Sequence, residues 1–178
     1  MARVDRARYL PPELQELAAC DEALPIGHGQ TISQPTMVRL LLEALALRGD
    51  ERVLDVGTGS GYQAVVLAEL VPDVHTIERI PELAAAARAT LPARVTVHTG
   101  DGTLGLPSEA PFDAIVVAAA ADRPPPALLE QLAPGGRLAM PVGPPSQQVL
   151  HVFHADGRVE ASVPCRFVPL VFAQHPAG

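Results

Sequence analysis

Apolar residues along the chain fall into two spacings, which predict alternating helices and strands. Between residues 37 and 47, Leu40, Leu41, Ala44 and Leu45 recur at helical intervals, with Arg39 on the opposite side. This spacing is typical of an amphipathic helix. Further helices are predicted over 62–71, 81–91 and 128–132.

Short apolar runs lie between these helices and predict strands. Residues 112–118 form an apolar run of the kind expected of a strand that is buried on both faces. Near the C-terminal end, the pair Asp156-Gly157 separates two more strand-like runs, which indicates a β-hairpin. The other strands are predicted over 52–56, 74–77, 94–98 and 138–142.

The order of these elements predicts an α/β fold. We expect a doubly wound, mostly parallel sheet with helices on both faces, followed by a C-terminal antiparallel hairpin. No internal repeat or linker interrupts the chain, so a single domain over 1–178 is predicted. Within it, 1–35 is an irregular segment rich in Pro and Gly, 36–145 is the ligand-binding core and 146–178 is the hairpin.

Composition and charge narrow the class of protein. The 178 residues include 13 arginines, no lysine and 20 acidic residues, which gives a formal net charge of -7. Nucleic acids and anionic membranes require a basic surface that this chain lacks. No apolar run approaches the ~18 residues of a membrane span, and the first residues have no signal-peptide core. We therefore expect a soluble, cytoplasmic monomer with no nucleic-acid or membrane partner.

The residue types that commonly bind metals give no metal site in the sequence. Cys20 and Cys165 are too few and too distant for a disulfide framework or a zinc site. His151 and His154 flank two residues of a predicted strand, so their side chains point to opposite faces. We assign no metal.

A glycine-rich turn provides the first candidate ligand site. The segment Gly57-Thr58-Gly59-Ser60-Gly61 follows the predicted strand 52–56 and opens the predicted helix 62–71. Glycines in this position permit a tight turn and close approach of a ligand to the backbone. The turn alone is compatible with either a dinucleotide or another adenosyl ligand.

Three acidic residues make a methyl donor the better ligand. Glu78 ends the second strand of the core and is placed to accept hydrogen bonds from ribose hydroxyls. Asp101, after the third strand, is placed to receive an adenine amine, and Asp55 precedes the glycine turn, where it can orient the loop or meet an ammonium group. The negative charge of Asp55 would be badly placed beside a pyrophosphate. The glycines of the turn are also spaced differently from the dinucleotide-binding motif G-x-G-x-x-G.

Several collinear motifs resemble the protein-L-isoaspartate O-methyltransferase family over nearly the whole chain. The loop LPIGHGQTISQP at 24–35 and the VPL motif at 168–170 are specific to that family. The glycine turn at 57–61 is shared by many methyltransferases. The matching segments are LPIGHGQTISQP at 24–35, VLDVGTGSGYQA at 53–64, HTIERI at 75–80, GDG at 100–102, APFDAIVV at 110–117, LAPGGRLAMPVG at 132–143 and RFVPL at 166–170.

The resemblance implies a Rossmann-like fold of the class I S-adenosylmethionine-dependent methyltransferases. It implies Ser33 as the catalytic residue, and a peptide substrate bordered by Thr31, Ile32 and the segment 168–170 (Val168, Pro169 and Leu170). The predicted cofactor-binding set combines the residues of the turn, the strand ends and Arg79 beside Glu78. It consists of Asp55, Gly57, Thr58, Gly59, Ser60, Gly61, Glu78, Arg79, Asp101 and Gly102.

The implied reaction transfers a methyl group to the free α-carboxylate of isoaspartyl residues in damaged proteins and so initiates their repair. A carboxyl group is already ionised at neutral pH, so no general base is required. Ser33 would orient the acceptor carboxylate instead of taking a proton. Two residues beside the loop, Cys20 and Thr36, stand where the family usually has aromatic side chains.

The sequence is also compatible with other functions. The chain could methylate an aspartate of a dedicated peptide partner, or it could be a non-catalytic adenosyl-ligand-binding module. The intact Ser33 and VPL motif count against the module. A small NAD-binding oxidoreductase is disfavoured by the spacing of the glycine turn.

Overall fold

A computed structural model describes residues 4–171 and contains two sheets. Strands β1 and β2 form a small antiparallel sheet, and β3 to β9 form a seven-stranded sheet in the order β5-β4-β3-β6-β7-β8-β9. The strands are β1 (Leu24–Gly27), β2 (Gln30–Ile32), β3 (Arg52–Val56), β4 (Asp73–Glu78), β5 (Val95–Thr99), β6 (Phe112–Val117), β7 (Leu132–Val142), β8 (Gln148–His154) and β9 (Val159–Cys165).

The strands from β5 to β7 are parallel, and the chain order reverses direction between β3 and β6. Strand β3 pairs with β4 on one side and with β6 on the other. Ligands of open α/β sheets bind beyond the carboxyl ends of the strands at such a reversal. The mostly parallel sheet predicted from the alternating pattern is confirmed, and it brings Gly57, Glu78 and Asp101 to one edge.

Helices α1 and α2 cover one face of the sheet. Apolar side chains of α1, such as Leu41, and of α2, such as Leu67, pack there with Val53 and Val116 of the strands. The opposite face packs against α4 through Leu128. The helices are α1 (Pro35–Leu45), α2 (Tyr62–Ala68), α3 (Pro81–Thr90) and α4 (Pro126–Glu130).

The N-terminal segment is more regular than the predicted irregular stretch 1–35. It forms two 3-10 helices, Arg6–Tyr9 and Pro12–Leu17, and then the β1–β2 hairpin. These elements are too short to produce a period in the sequence. The hairpin turns at His28, which has a left-handed φ of 54° between two glycines, and it is anchored by the buried side chains of Leu24 and Ile32.

The C-terminal part differs from a simple hairpin over 146–178. Strand β9 ends at Cys165, and residues 166–171 return to the end of β6. There the amide of Ala120 donates to the carbonyl of Val168 at 2.8 Å, and the amide of Leu170 donates to the carbonyl of Ala120 at 2.7 Å. Residues 172–178 of the predicted hairpin lie outside the described residues.

Helix α2 and strand β7 each differ from the sequence prediction at one end, for local reasons. Helix α2 ends at Ala68 instead of 71, because the amides of Glu69 and Leu70 close tight turns onto Val66 and Leu67. Strand β7 begins at Leu132, before the predicted start at residue 138, and includes the Pro134-Gly135-Gly136 segment, with an irregular register against β6.

Candidate functional site

An open cavity lies beyond the carboxyl ends of β3, β4 and β6. The glycine turn and the end of β4 form one half of it. The β1–β2 hairpin and the segment after β9 form the other half. The lining residues are Gln30, Thr31, Ile32, Ser33, Val38, Val56, Gly57, Thr58, Gly59, Ser60, Tyr62, Gln63, Ile77, Glu78, Arg79, Ile80, Gly102, Ala118, Ala119, Val168, Pro169, Leu170 and Val171.

The backbone of the glycine turn is tied to the end of β4. The amides of Gly57 and Thr58 donate to the carbonyl of Ile77 at 3.0 and 3.3 Å, and the amide of Gly59 donates to Glu78. Gly57 and Gly59 have φ angles of 96° and 52°, which favour glycine. The amides of residues 57–59 are therefore already used by the protein and do not form an open cradle for phosphate oxygens.

The carboxylate of Glu78 is buried at the floor of the cavity, with 5% of the residue exposed. Its Oε2 accepts from the amide of Gly59 at 2.9 Å, and its Oε1 accepts from the amide of Ile80 at 2.9 Å. Each carboxylate oxygen has a second lone pair available. Glu78 therefore shapes the turn and can still accept hydrogen bonds from hydroxyl groups of a ligand.

Asp55 lies behind the cavity wall and does not line it. Its carboxylate is fully buried, and it accepts from Gln63 Nε2 at 2.7 Å and from Thr76 Oγ1 at 2.8 Å. Thr58 extends this network, with its hydroxyl 2.6 Å from that of Thr76. Burial raises the pKa of the Asp55 carboxyl from 3.8 to about 7, against the opposing effect of the two hydrogen bonds.

Gln63 is a site residue that the sequence analysis missed. It lines the cavity, and its side-chain amide nitrogen is held by Asp55. Its Oε1 is buried and has no hydrogen-bond partner among the described residues. A buried acceptor without a partner is costly, and this one suits a ligand with an N–H donor such as an ammonium group. A glutamine in the otherwise largely apolar run YQAVVLA was the available clue.

Gly102 lines the cavity where a side chain would not fit. A Cβ at this position would lie 2.6 Å from Cγ1 of Val56, which is too close. The neighbouring Asp101 caps the following 3-10 turn, where its Oδ1 accepts from the amide and the hydroxyl of Thr103 at 2.9 and 2.8 Å. Asp101 is half-buried and, like Gly61, is not one of the lining residues.

Ser33 lies in a loop that is held from both sides. Its carbonyl accepts from the guanidinium of Arg6 at 3.2 Å. On the other side of Ser33, the carboxylate of Asp21 accepts from Gln34 Nε2 at 3.0 Å and from the amide and hydroxyl of Thr36 at 2.8 and 2.7 Å. These bonds hold the pKa of Asp21 below its ordinary value. Thr36 is thus the partner of a carboxylate at the start of α1.

The segment 168–170 borders the same half of the cavity as Ser33. It is fixed on one side by the bridge to Ala120 and on the other by Gln148. Gln148 Nε2 donates to the carbonyl of Phe167 at 3.1 Å, and the amide of Phe167 donates to Gln148 Oε1 at 2.6 Å. The paired bonds set where the three residues enter the site.

Most of the predicted site residues meet in this cavity. Those that line it are Thr31, Ile32, Ser33, Gly57, Thr58, Gly59, Ser60, Glu78, Arg79, Gly102, Val168, Pro169 and Leu170. Asp55, Gly61 and Asp101 support it from behind or from the side. Besides Gln63, the sequence analysis missed Tyr62, whose ring is buried at the start of α2.

Residues 4–171 contain neither a candidate metal site nor a membrane-spanning helix. Within that range, no group of three His, Cys, Asp or Glu side chains is arranged to hold a metal ion. No helix in the same range combines the length and apolar character needed to cross a bilayer.

Comparisons with known proteins agree with this geometry. The family model described as protein-L-isoaspartate(D-aspartate) O-methyltransferase matches residues 1–175. The chain is 54% identical over 180 residues to protein-L-isoaspartate O-methyltransferase of Anaeromyxobacter dehalogenans (strain 2CP-C), covering 96% of this chain and 86% of that protein. It is 50% identical to the protein of the same name from Myxococcus xanthus (strain DK1622), covering 96% and 85%.

Solved structures give the same result. A Plasmodium falciparum structure described as a protein-L-isoaspartate O-methyltransferase in complex with S-adenosyl-L-homocysteine is similar with a TM-score of 0.80 and 27% identity, covering 96% of this chain and 87% of that one. Another protein-L-isoaspartate O-methyltransferase gives a TM-score of 0.81 at 25% identity, covering 93% and 58%. The predicted Rossmann-like class I methyltransferase fold is confirmed. The chain belongs to the protein-L-isoaspartate(D-aspartate) O-methyltransferase family.

Proposed function

We propose that this chain transfers a methyl group from S-adenosylmethionine to the free α-carboxylate of isoaspartyl residues in damaged proteins and peptides, and so initiates their repair. One observation carries the proposal. Among the described residues that line the cavity there is no His, Lys, Cys or Asp, and the charged ones are Glu78 and Arg79. Glu78 already accepts from two backbone amides, so the cavity offers no dedicated base, which suits an acceptor that arrives already ionised, as a carboxylate does.

The residues at the β4 end of the cavity fit the donor. S-adenosylmethionine, when bound, supplies an electrophilic methyl group on a sulfonium centre. Glu78 has lone pairs for ribose hydroxyls, and Gln63 Oε1 has no partner of its own. The occupied amides of residues 57–59 support an adenosyl donor over a dinucleotide, since a pyrophosphate would need them free.

The residues at the other end orient the acceptor. In this proposal the hydroxyl of Ser33 donates to the acceptor carboxylate, and Thr31, Ile32 and residues 168–170 border the peptide. The acceptor needs no deprotonation, so catalysis consists mainly of holding the oxygen in line with the methyl group and sulfur. Positioning of this kind supplies up to ~7–11 kcal/mol.

We also propose that the protein works as a cytoplasmic monomer without nucleic-acid partners. The net charge of -7 supports the last point. Both cysteines, Cys20 and Cys165, are free thiols, which is usual in a reducing compartment. Light scattering of the purified protein measures the oligomeric state directly.

A labelling experiment tests the proposed activity. The purified chain is incubated with methyl-labelled donor and either an isoaspartyl peptide or the same peptide with a normal aspartyl residue. We expect a base-labile methyl ester on the isoaspartyl peptide alone. Label on both peptides would replace the proposal with a general carboxyl methyltransferase, and label on neither would remove the isoaspartyl substrate from it.

A further inference from the structure

The guanidinium of Arg6 lies buried at the junction of the N-terminal segment and the Ser33 loop. Only 5% of the residue is exposed. Its Nη1 donates to the carbonyls of Ala18 and Cys20 at 3.2 and 3.0 Å, and its Nη2 donates to the carbonyls of Glu22 and Ser33 at 2.7 and 3.2 Å. One planar group therefore ties the segment 18–22 to Ser33, the residue proposed to orient the acceptor.

The same guanidinium also reaches the donor half of the cavity. Its Cζ lies 6.0 Å from the centre of the Tyr62 ring, and Tyr62 lines the cavity at the start of α2. Tyr9 packs against that ring as well, with 6.0 Å between the ring centres. Cation–π contacts at this distance are attractive. Arg6 thus spans the gap between the Ser33 loop and the helix that follows the glycine turn.

The charge of Arg6 has no direct counter-ion. Within residues 4–171, no carboxylate lies within ion-pair distance of it, and its four directed hydrogen bonds all go to carbonyls. Burying a cation without a counter-ion is costly, and well-packed apolar residues would often cost less, so the position of the hydrogen-bond donors is the feature that Arg6 contributes here. The planar guanidinium of arginine can donate to several acceptors at fixed positions. The ammonium group of lysine cannot match that geometry.

We infer that Arg6 is a positioning residue for the acceptor reaction: it holds Ser33 at a fixed distance from the donor half of the site. This inference rests on the proposed function of Ser33. None of the four carbonyls belongs to the seven-stranded sheet or to the glycine turn. Loss of the guanidinium therefore displaces the Ser33 loop, whereas Glu78 and the glycine turn, which make no hydrogen bond to Arg6, keep their positions.

The test compares Arg6→Met and Arg6→Lys with Arg8→Met, which removes a positive charge from an exposed position in the same 3-10 turn. We expect both Arg6 variants to bind S-adenosyl-L-homocysteine within twofold of the wild type in a calorimetric titration. We expect kcat on an isoaspartyl peptide to fall by up to about 100-fold in Arg6→Met, since a displacement of about 1 Å at a reacting group has that effect. Arg8→Met should match the wild type in both measurements.

Hydrogen–deuterium exchange gives a readout that does not depend on activity. In Arg6→Met, amides of residues 31–34 should exchange faster while those of β3 and β4 are unchanged. If the wild type fails to methylate isoaspartyl peptides, the proposed function fails and this exchange pattern still decides the inference. Unchanged kcat together with unchanged exchange would overturn it. So would loss of donor binding in both Arg6 variants, since Arg6 would then support the whole domain.

Discussion

The amide of Gly59 donates a 2.9 Å hydrogen bond to Oε2 of Glu78, so the end of β4 determines the shape of the turn that follows β3. The same carboxylate lines the cavity, so Glu78 both holds the turn and can bind the donor. Removing it should both relax the turn and delete a hydrogen-bond acceptor for the donor.

We therefore expect Glu78→Ala to weaken binding of S-adenosyl-L-homocysteine. A hydrogen bond to a charged group contributes about 1.5–3 kcal/mol, which corresponds to a Kd increase of about 10- to 150-fold. A calorimetric titration measures it, with Glu82→Ala on the exposed side of α3 as the control. Equal affinity in the two variants would show that Glu78 is not a donor-binding residue.

Ser33→Ala should lower kcat on an isoaspartyl peptide and leave donor affinity nearly intact. The loop keeps its position in this variant, because Arg6 binds the carbonyl of Ser33 and not its hydroxyl. Steady-state kinetics with varied peptide measures the effect, and Ser162→Ala on the exposed strand β9 is the matched control. Full activity of Ser33→Ala would exclude a role for the hydroxyl in orienting the acceptor.

The buried carboxyl of Asp55 predicts a pH-dependent stability. Its pKa is raised from 3.8 to about 7 by burial, so the folded protein holds the proton more tightly than the unfolded chain. This contribution to stability is complete below the unfolded pKa and is lost as the pH rises through about 7. Asp55→Asn does not titrate, so its free energy of unfolding relative to wild type should increase by roughly 2.5 kcal/mol from about pH 5 to about pH 8.

Urea unfolding of both proteins across that pH range measures the difference. Asp50→Asn, in the exposed turn before β3, serves as the control for loss of one negative charge. A difference between Asp55→Asn and wild type that stays constant with pH would contradict the raised pKa.

Substitution of Gln148 should weaken binding of the acceptor peptide without changing binding of the methyl donor. Gln148 is 4% exposed, and Gln148→Met removes both of its bonds to the backbone of Phe167. The unpaired groups should cost about 1–3 kcal/mol of unfolding free energy. The freed segment 168–170 should raise KM for the peptide. The exposed neighbour Gln147→Met is the control, and a change in donor Kd without a change in peptide KM would refute this assignment.

The donor half of the site could be predicted from sequence because it follows regular elements. Gly57 and Glu78 end adjacent parallel strands, and the alternating pattern locates those ends within a residue or two. The partners of Arg6 could not be predicted, because backbone carbonyls have no residue-specific signature. The two hydrogen bonds between the Gln148 side chain and the Phe167 backbone could not be predicted for the same reason. The direction of the Asp55 side chain is determined by its hydrogen bonds to Gln63 and Thr76, which only the structure shows.

The acceptor side of the cavity is assembled from two segments that lie outside the βα core, residues 31–33 and 168–170. The first is held by the pairing of β2 with β1 and by the buried side chain of Ile32, and the second by the backbone bonds to Ala120, whereas the glycine turn and Glu78 are part of the βα core itself. Substitutions in these two segments can therefore change which peptides are accepted while the methyl-donor chemistry stays intact. This arrangement leaves the substrate range open to divergence within a scaffold whose cofactor is fixed.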